Sequence, residues 1–371
     1  CHVSTSNDYE KIPEELSSFI VSKRVNFPKE IYKDKDSSSI SISSSLNRQE
    51  NNSNNNNGNQ SENYIIIFSP INCIIFIQEN KLVFFNYITE TSNEYKDVPG
   101  KINKLLITRP KPGMFIDDVK YIMICVMEGE IQLLTLKFRK VGIEVDDFPI
   151  IQKTDFIFSF NEKVIDIVST ANYRIFISTL NNKIYELNYS LRQNNYFNLF
   201  GTRNSLFEAI NKERPFFFGL FSDLKFIIKG SIEIIYKLKV DDTRHLLYAI
   251  KYTIPKDDKT VNLENIIDSS VIIFDLGIDG KDFNKVEEIS QEDLGDYGLD
   301  FNGFDVFSYN NTERNIDENN NFIQKSNVIV DIEPLTRDKY KDYHLLIMKR
   351  NGHKIFLKFN NRIFCIISKY A

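Results

Sequence analysis

An all-β fold, built by repeating a small antiparallel sheet around an axis, is what this sequence predicts, and three observations carry it. The chain of 371 residues holds 30 Phe and 18 Tyr within a 42% hydrophobic composition, aromatic mass that favours strands over helices and suffices for a large core. Short β-branched or aromatic runs separated by Asn, Gly, Ser and Pro recur from residue 64 to near the end, as hairpins joined by turns require. The hairpins share a loose pattern, an apolar strand, a turn with Asn or Gly, then a strand ending in an aromatic residue, at a period of roughly 40 to 50 residues. Radial repetition of four-stranded sheets, a β-propeller, satisfies all three.

Residues 1–36 read as an N-terminal extension with one short helix, marked by Ile12-Pro13-Glu14-Glu15-Leu16 and then Phe27-Pro28-Lys29-Glu30-Ile31. Residues 37–62 turn Ser- and Asn-rich, a composition that buries too little surface to offset ordering entropy, so disorder is expected. The propeller is expected over 63–371. Its first meander comprises 64–68, 73–77 and 82–85, with turns at Ser69-Pro70-Ile71-Asn72 and Glu79-Asn80-Lys81. Strand runs follow at 121–126 with 131–138, at 164–168, at 174–178 with 184–189, and at 226–238. Further runs occupy 246–252 with 271–275, then 328–332, 344–348 with 355–359, and 363–367. Two long insertions interrupt them, one over 192–221 and an acidic, Asn-rich one over 279–325, and connections of that length are functional or disordered.

A net charge of -5 argues against a surface that neutralises phosphates, so no direct nucleic-acid ligand is expected. Cys1, Cys73, Cys125 and Cys365 stand far apart with no C-x-x-C pair, which suggests neither disulfides nor zinc and fits a reducing compartment. The longest apolar stretch, 64–77, is broken by Ser69-Pro70 and Asn72 and falls short of the roughly 20 residues of a membrane span. The opening residues carry no basic and apolar pair of regions, so no secretory signal is read there.

The common phosphate, metalloprotease and hydrolase motifs are missing, so no catalytic residue, metal or cofactor is expected. Cys73 and Cys125 lie in apolar strand runs and read as core filler. His353, after Asn351-Gly352, reads as a turn residue. The segment from Asp275 to Gly280 has Gly277 at a ligand position and Val286 where a bidentate Glu belongs, so it is no calcium loop. The run from Glu287-Glu288 to Asp296 reads as a solvated loop.

Three groups of residues resemble the N-terminal propeller of the large inner-ring scaffold nucleoporins. They are the proline-marked opening at 12–31, the loop Pro110-Lys111-Pro112-Gly113-Met114-Phe115 before an apolar strand, and the ordered hairpins from Arg174 to Phe356. Together they span about three quarters of the chain. The sequence departs from that family in offering Phe84-Phe85-Asn86-Tyr87 where a Trp is usual, and it has no Trp at all. The resemblance implies a seven-bladed propeller joined to an α-solenoid. This chain, ending at Ala371, holds about five blades, an incomplete propeller expected to be a fragment or truncated gene model.

The resemblance further implies a structural, non-enzymatic constituent of the nuclear pore complex at the nuclear envelope, docking scaffold and linker nucleoporins and serving nucleocytoplasmic transport. A propeller scaffold of another assembly, such as a vesicle coat or chromatin adaptor, is the alternative, since fold alone does not fix function. Within the first insertion, Leu206, Phe207 and Ile210 would share one side of a short helix capped by Asn204 or Ser205. After Pro215 come Phe216, Phe217, Phe218, Leu220 and Phe221. Two readings of these eight residues stay open: they cover the propeller or fill a gap between blades, or they contact the curved pore membrane, as the resemblance implies for this region.

Overall fold

The protein is described from a computed structural model, which covers residues 65–78, 81–98, 100–138, 140–141, 144–145, 148–192, 204–212, 231–256, 265–279, 281–291, 293–294, 327–335, 343–360 and 363–370. The expected N-terminal helix and the Ser/Asn-rich segment lie outside these residues, as do Phe216, Phe217, Phe218, Leu220 and Phe221.

Five four-stranded antiparallel meanders follow one another along the described chain. Blade one holds β1 (Ile65–Phe68), β2 (Cys73–Gln78), β3 (Lys81–Asn86) and β4 (Thr91–Tyr95). Blade two holds β5 (Ile102–Thr108), β6 (Val119–Met127), β7 (Glu130–Lys137) and β10 (Ile150–Ser159), with a minor hairpin of β8 (Lys140–Val141) and β9 (Glu144–Val145) between the last two. Blade three holds β11 (Val164–Ser169), β12 (Ile175–Thr179), β13 (Ile184–Arg192) and β14 (Asn204–Asn211). Blade four holds β15 (Ser231–Asp241), β16 (Leu246–Pro255), β17 (Asp268–Asp275) and β18 (Asn284–Ser290). Blade five holds β19 (Ile329–Pro334), β20 (Leu345–Lys349), β21 (Lys354–Asn360) and β22 (Ile363–Tyr370). The all-β propeller expected from the sequence is what the chain adopts.

Position within a blade explains composition. The central strands β6, β7, β12 and β17 are buried along nearly their whole length because a neighbouring blade covers each face, so they read as continuous apolar runs. Fourth strands in blades one and four see solvent: β4 is Thr-Ser-Asn-Glu-Tyr and almost wholly exposed, and β18 buries only Ile289. That is why β18, carrying Glu287 and Glu288, lies where a solvated loop was expected. The ladder to β17 pairs Ile272 with Glu288, and Glu288 accepts from Ser270 Oγ at 2.8 Å and pairs with Lys251 at 2.5 Å and with Lys285.

Each gap between blades holds its own core. Leu82 and Phe84 meet Met123, Cys125 and Leu134 across the first gap. Ile122, Ile124 and Leu133 meet Ile175, Ile177 and Leu187 across the second. Phe176 and Ile184 meet Leu247 and Phe274 across the third, and Ile250 and Tyr252 meet Ile347 and Leu357 across the fourth. Cys73 and Cys125 are fully buried free thiols, as expected of core filler, and burial pushes the Cys125 thiol up to about 12.

First strands of successive blades pack on one another, β5 on β11, β11 on β15 and β15 on β19, which places them nearest the axis. Each of these four carries a β-bulge at the same place, beside Lys104, Asp166, Lys237 and Asp331, so that charge alternates around the axis. A bulge breaks the ladder and frees a backbone N–H. Asp166 Oδ1 accepts from Ile167 N–H at 2.9 Å, while Oδ2 reaches the next blade and accepts from Leu238 N–H at 2.8 Å. Asp331 Oδ1 accepts from Ile332 N–H at 2.8 Å and pairs with Lys237 Nζ at 2.5 Å. Burial pushes the Asp166 carboxyl above its ordinary value, opposed by Lys104, Lys237 and the two N–H donors.

Two outcomes are expected. Asp331→Asn leaves the Lys237 ammonium without its buried counter-charge and lowers the unfolding free energy by roughly 3 kcal/mol in urea melts. In a double-mutant cycle with Lys237→Met, the second substitution then adds little. For Glu288, burial raises the pKa, but Lys251, Lys285 and Ser270 together bring it down to about 2, from an ordinary 4.5. A carboxyl with a depressed folded-state pKa stabilises the fold above the unfolded value and loses that contribution as pH falls toward the folded one. Glu288→Gln therefore flattens the acid limb of the stability profile between pH 4.5 and about 2.

Candidate docking surface

The loops from first to second strand in blades two, three and four each send a cation to the following blade. In the first, Pro110 and Pro112 bracket Lys111, both restricted to φ near −65°, and Gly113 at φ +76° turns the chain back. Lys111 donates its backbone N–H to Tyr189 Oη at 2.7 Å and its Nζ to Asn188 Oδ1 at 2.9 Å, with the ammonium 4.7 Å from the centre of the Tyr189 ring. Burial lowers the Lys111 pKa and pushes the Tyr189 hydroxyl up to about 12.

Arg174 stands at the corresponding place in blade three. Its Nε and Nη2 fork onto Glu186 at 2.8 and 3.0 Å, and Nη1 donates to the carbonyls of Leu276 and Asp282 in blade four at 3.2 and 2.8 Å. The guanidinium also lies 4.8 Å from the Phe176 ring centre. Glu186 is half-shielded, which raises its pKa, yet hydrogen bonds from Arg174 and Lys212 hold it below the ordinary carboxylate value. The acceptor loop depends on Gly277, at φ +69°, where an added Cβ would stand 2.6 Å from the Asp282 carboxylate. Arg244 repeats the device: Nη1 binds Asp241 Oδ2 at 2.7 Å and the Leu335 carbonyl at 2.9 Å, and Nη2 reaches the Tyr343 carbonyl of blade five at 3.4 Å. Arginine's rigid planar fork fixes the directions of donors that a lysine ammonium would leave free to rotate, so the two are not interchangeable there.

The first-insertion residues require a correction. Residues 204–211 form not a helix but β14, paired with β13 from Tyr185↔Asn211 to Arg192↔Asn204. Eight cross-strand partners on an apolar neighbour outweigh the local spacing of Leu206, Phe207 and Ile210, which fits a helix only loosely. Strand alternation then separates the three. Phe207, 8% exposed, turns toward blade two, whereas Leu206 and Ile210 share the opposite face, Leu206 half-buried and Ile210 42% exposed. Phe207 thus fills a gap between blades and is withdrawn from membrane or partner contact.

Its neighbours form an aromatic seam between blades two and three. Phe207 lies 4.7 Å from Phe158 and 6.4 Å from Phe156, edge to face in both cases, and Phe156 lies 6.0 Å from Tyr189 and 5.9 Å from Phe115. A two-residue bulge in β10 between Lys153 and Ile157 turns Phe156 inward. Thr154 fills the break, donating Oγ1 to the Leu133 carbonyl at 2.5 Å and accepting from Phe156 N–H at 3.2 Å. Beside this seam an open cleft of about 420 Å³ lies between the 113–116 loop and the blade-two sheet, bounded by Met114, Phe115, Ile116, Lys137 and Gln152 among others.

Sequence reasoning found the Lys111 loop and missed Arg174, Arg244 and the axial charges. Their signal is present as a cation in the turn before a buried second strand, and as an apolar-x-charge-apolar run in 102–105, 164–167, 235–238 and 329–332. Among the described residues, no group of three or more His, Cys, Asp and Glu could hold a metal ion, and no helix is long and apolar enough to cross a membrane.

Four-stranded meanders with bulged inner strands and cations clamped from blade to blade define a β-propeller. The family described as Nup133 N terminal like, the nucleoporin N-terminal domain, matches residues 18–252, and the chain belongs to that nucleoporin family. Comparison with curated protein sequences finds no match. Among solved structures the chain is similar to the Nup170 N-terminal domain of Chaetomium thermophilum, solved as a complex with Nup53, with a TM-score of 0.56, 19% identity, and 83% of this chain matched to 38% of that one. The β-propeller of Vanderwaltozyma polyspora Nup133 gives a TM-score of 0.39 at 10% identity over 83% of this chain and 75% of that one. The first likeness concerns fold alone, and this chain spans less than two thirds of that structure's length.

Proposed function

We propose that this chain is a non-catalytic structural component of the nuclear pore complex, acting in the inner ring at the nuclear envelope as a rigid body on which other scaffold and linker nucleoporins dock. The observation that carries the reading is the family match over 18–252, which falls on blades whose cations are spent on neighbouring carbonyls and carboxylates. Side chains committed in this way hold the blades in one arrangement and are not free to turn over a substrate. That the similar Nup170 domain was solved with Nup53 supports docking of other nucleoporins as the use of the outer surface.

Contact with the curved pore membrane belongs to the same proposal and falls to Phe216, Phe217, Phe218, Leu220 and Phe221, with Ile210 exposed just before them. Leu206 is half-buried on the Ile210 face and is a secondary candidate.

A fluorescently tagged chain is expected to give a nuclear-rim pattern; a vesicular or chromatin pattern overturns the assignment. Separately, the chain is expected to float with small, highly curved liposomes, and Phe216→Asp with Phe217→Asp to abolish flotation while the rim pattern persists. Unchanged flotation in that double variant removes the membrane role.

A further inference from the structure

Resting on the reading of this chain as a docking scaffold, we infer that the cleft beside the 113–116 loop receives an extended, acidic segment of a partner protein, which pairs with the free edge of β10 and places an apolar side chain against Ile116 and a carboxylate on Lys137. Four observations converge on that occupant. The cleft is open and measures about 420 Å³, room for one large side chain and its flanking backbone and too little for a folded element. Its loop wall is apolar and solvent-facing: Met114 and Phe115 back Ile116, which is 61% exposed although isoleucine gains nothing from water.

The third observation is charge. Among the described residues Lys137 is the one charged residue lining the cleft and has no carboxylate partner, in contrast to the axial lysine Lys237 and to Lys251, which are ion-paired. An anionic group on the occupant supplies that partner. The fourth is the strand edge. Among the described residues β10 is the outermost strand of its sheet and pairs with β7 alone; its Phe158 end packs on β14, so the stretch beside Gln152 is the part that offers backbone donors and acceptors to an added strand. Register sets Ile150 opposite Lys137 and Gln152 opposite Thr135. On β10 it is Gln152 and Thr154, two apart, that line the cleft, and a paired peptide, with side chains alternating at period two, presents every second residue to the same face.

The test uses the whole chain and two capped, fluorescein-labelled peptides of identical alternating Phe/Thr pattern, one flanked by glutamates and one by lysines, read by fluorescence anisotropy. The glutamate peptide is expected to bind about tenfold or more tightly than the lysine peptide. Lys137→Glu is expected to reverse the preference, and Ile116→Asp to weaken the glutamate peptide by about tenfold. Both residues line the cleft and neither is buried, and circular dichroism melts verify folding. Should Ile116→Asp lower the melting temperature, Lys137→Gln, which removes the charge alone, decides the matter by abolishing the preference.

Equal affinity for the two peptides, or a preference indifferent to Lys137, overturns the inference. So does a chain that sediments as a dimer and becomes monomeric with Ile116→Asp, because the occupant is then a second copy. Absent peptide binding with an intact nuclear-rim pattern counts against this cleft alone, whereas a lost rim pattern counts against the scaffold assignment beneath it.

Discussion

A four-stranded sheet with two apolar faces is unstable in water, and covering each face with the next sheet is the constraint from which the rest of this chain follows. Four separate cores lie in the four gaps between described blades, each assembled from one sheet and its neighbour. Burying an Ile, Leu or Phe side chain contributes about 1.5–3 kcal/mol, and in these four gaps two sheets collect it together. The central strands β6, β7, β12 and β17 owe their uninterrupted apolar character to being sandwiched in this way.

Apolar contact is non-directional and does not by itself fix how one sheet sits on the next. Two polar devices supply direction. At the axis, Asp166 caps a backbone N–H freed by the next blade's bulge, and Lys237 meets Asp331 across the following gap. Farther out, Lys111, Arg174 and Arg244 reach from the turn of one blade to acceptors of the next. Because these charges are shielded, each arrangement tolerates little displacement before an ion or a carbonyl is left unpaired. The result is that polar contacts, and not apolar burial alone, set how each blade sits on the next.

Such a body leaves function to its rim. Some fourth strands release apolar residues from packing: Ile157 on β10 and Ile210 on β14 are both exposed. Others carry the polar residues that keep outer edges from pairing indiscriminately, as in β4 and β18. A scaffold that must bind selected neighbours and no others needs this mixture, with sparse apolar contacts set in polar surroundings.

The amino-acid sequence alone determined the all-β class, the recurring hairpins and their grouping into a radial array, because strands covered on both faces must be apolar throughout and so announce themselves. It also marked the Lys111 loop, whose two prolines and glycine have few conformations to choose from. Only the tertiary structure decided the fourth strands of blades one to four. The start of the first insertion read locally as a helix and the run from Glu287 as a solvated loop, yet residues 204–211 and 284–290 are strands, since a strand lying at the rim gains its stability from the ladder of the strand beside it and not from its own side chains. The axial charges and the arginine clamps were likewise invisible along the chain: their partners come from other blades, and a charge flanked by apolar residues in one dimension acquires its meaning only when the next sheet brings the opposite charge or a bare carbonyl within reach.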